Sequence, residues 1–213
     1  NLTLAGLFIL IAAVFDFFDG MTARALHAPS AIGKELDSLA DDISFGVAPS
    51  AIAFMLVSQH LNTNGENIAN LPFGTMLLCL LPFIMAGFSA LRLAKFNIDE
   101  RQTDKFIGLP TPANAMIWAS MPFIMKYNAD GWFAQYIITP EVMIPLSLVM
   151  SILLICELPL FSLKFKTWGF KGNQIRYIFL AICVLLIATM QFGAIPAIVI
   201  VYVLMSIIGK VQK

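Results

Sequence analysis

Long apolar runs alternate with short polar connectors from one end of the chain to the other. Runs near the roughly 17–25 residues needed to cross a bilayer predict helices at about 3–26, 35–59, 73–96, 111–127, 140–158, 174–190 and 194–209. Only Gln191-Phe192-Gly193-Ala194 separates the last two, which predicts a tight hairpin. Pro82, Pro122, Pro145 and Pro196 fall inside or near the ends of these runs, where neighbouring helices shelter the freed carbonyls. Ala86, Ala90 and Ala94 recur at every fourth position, which predicts a close-packing face on the third helix. The expected architecture is all-α: one polytopic bundle of about seven spans, a single integral-membrane domain over residues 1–213. The first apolar run opens near residue 1, so a further helix upstream is expected.

Composition sharpens this picture. Of 213 residues, 59% are hydrophobic and 12% charged, and the mean hydropathy is +0.84. Soluble domains carry roughly 25% charged residues, so this chain lacks the polar surface for a soluble globule. A coiled coil, a disordered chain and a nucleic-acid binder with a basic face are excluded on the same ground. Cys79, Cys156 and Cys183 each lie in an apolar run, with neither disulfide nor zinc spacing, and read as small buried side chains.

Net charge is zero, but its distribution is uneven. With helix ends assigned to alternate sides, 12 of the 13 basic residues fall on one side and Lys126 alone on the other. The positive-inside rule makes the basic side cytoplasmic. This asymmetry supports seven spans, because an extra or missing internal helix would scramble it.

The chemistry-bearing residues gather on that basic side. Asp16 and Asp19 close the first helix; Asp37 and Asp41 open the second. Spacings of three and four put each pair on one helix face, and a short connector turns the two faces toward each other in a hairpin of about residues 3–59. An Asp at the centre of a membrane helix costs about 3 kcal/mol, less toward the interface, and like charges add repulsion. Cations that neutralise the set offset that cost. Hard oxygen ligands suit magnesium, manganese or calcium, and two such ions sharing carboxylates are a recurring device for phosphoryl displacement. A solvated interfacial turn is the plainer alternative.

The full pattern decides between them. It reads Asp16-x-x-Asp19-Gly20-x-x-Ala23-Arg24, eight residues, then Gly33-x-x-x-Asp37-x-x-x-Asp41. Eight fixed positions recur by chance on the order of once in a billion starts. The pattern resembles the signature of the CDP-alcohol phosphotransferases, integral membrane enzymes that pass a substituted phosphate from a CDP-linked donor to an alcohol and release CMP. The resemblance implies that Asp16, Asp19, Asp37 and Asp41 hold two divalent cations, magnesium or manganese, and that Asp41 is the general base toward the acceptor hydroxyl. Gly20 and Gly33 would let a nucleotide approach the backbone. Ala23 is small for the same reason, and Arg24 would pair with an acid or a phosphate.

Three further segments narrow the acceptor. Asp42-Ile-Ser-Phe-Gly-Val-Ala-Pro-Ser50, Arg92-Leu-Ala-Lys95-Phe-Asn97 and Phe106-Ile-Gly-Leu-Pro-Thr-Pro-Ala-Asn114 are similar to the serine-accepting, membrane-embedded branch of that family. This implies CDP-diacylglycerol as donor, L-serine as acceptor, phosphatidylserine and CMP as products, and a homodimer in a bacterial inner membrane with its site facing the cytoplasm. Arg92 and Lys95 would meet donor phosphates or a serine carboxylate, or serve as positive anchors, and Asn97 would orient the acceptor. Thr111 and Asn114 are further candidates. Asp42 stands where the pattern leads one to expect a small or apolar residue. Two alternatives remain. One is the same chemistry with glycerol 3-phosphate, inositol phosphate or choline. The other is an ion-coupled transporter, for which the middles of the other spans offer few ionisable steps.

Overall fold

A computed structural model describes residues 1–26, 30–62, 65, 67–98, 106–161, 169–170 and 173–211. Helices dominate it: α1 (Leu2–Ala25), α2 (Ala31–Asp41), α3 (Ala48–Leu61), α4 (Phe73–Leu80), α5 (Ile84–Ile98), α6 (Thr111–Tyr127), α7 (Trp132–Tyr136), α8 (Pro140–Ile155), α9 (Gln174–Met190) and α10 (Ala194–Val211). A π-helical segment, Asp42–Val47, joins α2 to α3 without a break, and a 3-10 turn, Leu81–Phe83, containing Pro82, joins α4 to α5. The predicted rods are therefore present, with all-α architecture. The strand content is a two-residue antiparallel pairing, β1 (Phe106–Ile107) with β2 (Pro159–Leu160).

Four stretches are long and apolar enough to cross a membrane: Leu2–Thr22, Ile32–Leu61, Phe73–Ile98 and Gln174–Ile208. The last is folded in two. Gln191 adopts φ 49°, the 3-10 turn Gln191–Gly193 follows, and α10 packs back on α9 as the predicted hairpin. α8 is a shorter apolar helix. Leu4, Phe8, Phe15 and Phe18 on α1 and Val184 and Leu185 on α9 are exposed. A bilayer is the environment in which such a surface is stable.

α6 is the axis. Ile117, Trp118, Met121 and Ile124 are buried on it, and α1, α3, α8 and α10 pack around it. Small residues allow the close approaches: a Cβ at Gly6 of α1 would strike the Ala119 carbonyl oxygen of α6 and lie 3.0 Å from Phe123. The alanine stripe does not play that role. Ala90 and Ala94 are exposed and Ala86 is half-buried, whereas α5 turns Met85, Ser89, Arg92 and Leu93 inward. A four-residue repeat marks a helix face but does not say which way it points.

The two ends of the bundle differ. At one, the start of α1, the end of α3 and Lys126 of α6 meet, beside the Gln191–Gly193 turn and the exposed aromatics Tyr127, Trp132 and Tyr136. At the other lie the end of α1, α2, the end of α5, the β1–β2 pairing and the end of α10. Lys126 stands at the first end, and Lys34, Arg92 and Lys95 stand at the other. Of the basic residues behind the predicted alternation, Arg101, Lys105, Lys164, Lys166, Lys171 and Lys213 lie outside the described residues, as do the side chains of Arg24 and Lys210.

Gly6→Ala should force α1 off α6. We expect a destabilisation of about 1–3 kcal/mol, read as a lower Tm in detergent, and an unchanged Tm would contradict this packing.

Candidate active site

Local sequence chemistry places the acids. Ser30 caps α2: the Gly33 N–H donates to its Oγ at 2.9 Å. The helix therefore starts at Ala31, earlier than the expected 35, and Asp37 sits in its second turn rather than its first. A Cβ at Gly33 would lie 2.8 Å from Ser30 Oγ, so this glycine has a structural reason in the cap itself. Along α2, Lys34, Asp37, Ser38 and Asp41 follow helical spacing as one polar stripe, while Ile32, Leu36 and Leu39 are 60–74% exposed. The polar stripe thus faces α1 and α5, with Lys34 and Asp37 still exposed, and the apolar face is left uncovered, the reverse of a soluble surface helix.

Asp16 and Asp19 of α1 meet Asp37 of α2, with one carboxylate oxygen from each lying within 4.8 Å of the others. Asp41, one turn further along α2, is not a member of that group. Its half-buried carboxylate interacts electrostatically with Asp16, Asp37, Asp19 and Arg92. The described structure therefore brings three of the four predicted acids into direct convergence and sets the fourth beside them. Among the described residues, no basic side chain forms an ion pair with Asp16, Asp19 or Asp37. Three convergent carboxylates with this donor chemistry fit a hard divalent cation.

α5 supplies the opposite wall. Arg92 is 8% exposed, its Nε has no hydrogen-bond partner, and its guanidinium carbon lies 5.8 Å from the Phe96 ring centroid. That burial argues against a purely anchoring role. Lys95 is exposed. Asn97 is occupied: its Nδ2 donates to Ser38 Oγ at 2.8 Å, and its carbonyl accepts from Lys34 Nζ at 2.8 Å. It ties α5 to α2, so the structure gives it a bracing contact in place of the expected free polar group. Asn114 is also committed to the core, its Oδ1 accepting from Trp118 Nε1 at 3.2 Å. Thr111 is buried with an unpartnered Oγ1. Gly20 is half-buried on α1, and Ala23 and Arg24 share its last turns, with side chains outside the described residues; His27 lies outside them altogether.

The profile of the family described as CDP-alcohol phosphatidyltransferase matches residues 1–161.

The chain belongs to the CDP-alcohol phosphatidyltransferase family.

Its relatives include three proteins named CDP-diacylglycerol–serine O-phosphatidyltransferase. The Bacillus subtilis protein is 42% identical over 128 residues, 60% of this chain and 64% of that protein. The Saccharomyces cerevisiae protein is 37% identical over 131 residues, 57% of this chain and 42% of that protein. The Helicobacter pylori protein is 29% identical over 182 residues, 82% of this chain and 67% of that protein. The chain thus spans roughly two fifths to two thirds of these relatives. With its apolar helices, family membership makes this an integral membrane protein.

Sequence reasoning missed Ser38, Lys34 and Ser89. Ser38 and Lys34 carried a signal, since both continue the polar stripe of the two aspartates. Ser89 carried a weaker one, three residues before Arg92 on the same face of α5.

Asn97→Ala removes the side-chain tie to Ser38. We expect a loss of about 1 kcal/mol and faster amide exchange in α2, measured by hydrogen–deuterium exchange. Exchange in α2 equal to that of the parent protein would contradict the bracing role.

Proposed function

We propose that this protein transfers a phosphatidyl group from CDP-diacylglycerol to L-serine, giving phosphatidylserine and CMP. The observation that carries this is the convergence of Asp16, Asp19 and Asp37 with Asp41 beside them, in a chain whose relatives are named for that reaction. Two divalent cations, magnesium or manganese, would be held by the four aspartates, where they would neutralise the donor diphosphate and ease departure of CMP.

The chain's own residues have distinct tasks. Asp41 stands at the edge of the acidic group, next to a buried guanidinium. From there it would accept the proton of the acceptor hydroxyl as that oxygen attacks phosphorus; the bond from phosphorus to the cytidine phosphate breaks, and CMP leaves with the pair. Gly20, Ala23, Arg24 and Gly33, on the last turns of α1 and the first of α2, would face the nucleotide and its phosphates. Arg92 would meet an anionic group of donor or acceptor from α5. Lys95, exposed at the same end, would add positive potential there. Asn97 would act by holding α2 against α5. The donor's acyl chains would lie in lipid along the exposed apolar faces.

Residues 1–213 are read as one domain, supported by the packing of α10 on α6 beyond the stretch matched by the family. The basic end is read as cytoplasmic, in a bacterial inner membrane, on the charge asymmetry and the Bacillus relative. A homodimer follows from the family resemblance alone.

Purified protein given CDP-diacylglycerol and manganese should release CMP with L-serine and not with glycerol 3-phosphate, inositol phosphate or choline. Asp41→Asn should lower the rate by about 10²–10⁴-fold. Release with another alcohol keeps the family chemistry and overturns the acceptor. No release with any acceptor overturns the proposal.

A further inference from the structure

Asp42 has no task in the reaction as described, while its neighbour Asp41 has a central one. The two acids sit where α2 passes into the π-helical segment, Asp41 as the last residue of the first and Asp42 as the first residue of the second. Consecutive helical side chains point about 100° apart, so the two acids reach different partners. Both partners come from α5, which packs along the π-helical segment. Arg92 is the electrostatic partner of Asp41. Ser89, fully buried, is the partner of Asp42: its hydroxyl interacts with the carboxylate, whose Oδ1 is buried as well. Ser89 and Arg92 are three residues apart and project from one face of α5.

Gly46 makes room for the second of these contacts. A Cβ there would lie 2.6 Å from Asp42 Oδ1, 2.9 Å from Ser89 Cβ and 3.0 Å from Ser89 Oγ, so a side chain would drive the carboxylate and the hydroxyl apart. The Gly46 carbonyl accepts from Ser50 Oγ at 2.7 Å, which fixes the backbone at that point. A single contact between two helices lets one turn about its axis. Two contacts, made by adjacent residues of one helix to a single face of the other, do not. Asp16, Asp19 and Asp37 all repel Asp41, so a rotational restraint has a force to oppose.

We infer that Asp42 is a positioning residue for Asp41: its contact with Ser89, packed against Gly46, fixes the rotation of the end of α2 and so the place of the base carboxylate beside the other three acids. This rests on the reading of Asp41 as the base and deepens it. What Asp42 contributes is an acceptor oxygen rather than a charge, which sets it apart from the four acids assigned to the cations.

The test separates the acceptor from the charge. CMP release is measured with CDP-diacylglycerol, manganese and L-serine. Asp42→Ala should lower kcat by about 10–100-fold at an unchanged KM for serine, since a displaced base slows the chemical step and leaves binding alone. Asp42→Asn keeps an oxygen that accepts from Ser89 and should rescue kcat to within about threefold of the parent. Ser89→Ala should repeat the loss, and Asp42→Ala combined with Ser89→Ala should be no slower than Asp42→Ala alone. Asp42→Asn as slow as Asp42→Ala overturns the inference, because the charge would then be what matters. Losses that multiply in the double variant overturn it too, as does a lower Tm with kcat unchanged, which marks a purely structural contact. If Asp42→Ala fails to fold, Ser89→Ala decides, and an unchanged kcat there overturns the inference. A parent protein that releases no CMP with any alcohol contradicts the reading of Asp41 as the base, and this inference falls with it; an active parent with indifferent variants contradicts this inference alone.

Discussion

Holding several carboxylates together at the end of apolar membrane rods is the constraint on which the rest of this structure depends. Each acid is costly near a bilayer, and each repels the others at close range. Aqueous surface helices hide their apolar face; here α2 leaves its apolar face uncovered and sets its polar stripe against α1 and α5. α1 is pinned to the buried α6 at Gly6, which fixes where Asp16 and Asp19 stand. α2 is capped by Ser30 and tied to α5 through Ser38, Lys34 and Asn97, which fixes Asp37 and Asp41. The positions of the acids thus follow from packing and hydrogen bonds that lie outside the acidic group.

α5 makes the site asymmetric. It brings the buried guanidinium of Arg92 toward Asp41 and the buried hydroxyl of Ser89 toward Asp42. A membrane protein keeps such groups where they face the bundle interior and pair with one another. The π-helical turn after Asp41 belongs to the same arrangement. Asp42, one residue past Asp41, points away from the stripe of Asp37 and Asp41 and lies against Ser89 at the start of that turn.

The rods were legible in the sequence because hydropathy alone dictates them, and the acids were legible because charge is rare in such a chain. The α9–α10 hairpin followed from four residues. What stayed hidden depends on contacts distant in sequence. Asn97 and Ser38 are 59 residues apart, and nothing local to either marks the bond between them. The alanine stripe on α5 misled because small residues on a membrane helix indicate a face without saying what covers it. The early start of α2 turned on the Ser30 cap, which a hydropathy window passes over. Asp42 was visible as an oddity, but its counterpart on α5 came to light only with the fold.

The most direct test is manganese binding to the metal-free protein, followed by electron paramagnetic resonance without any substrate. The account predicts saturable binding, weakened at least about tenfold by Asp16→Asn, Asp19→Asn or Asp37→Asn singly. Binding of equal strength in all three variants and the parent would contradict it.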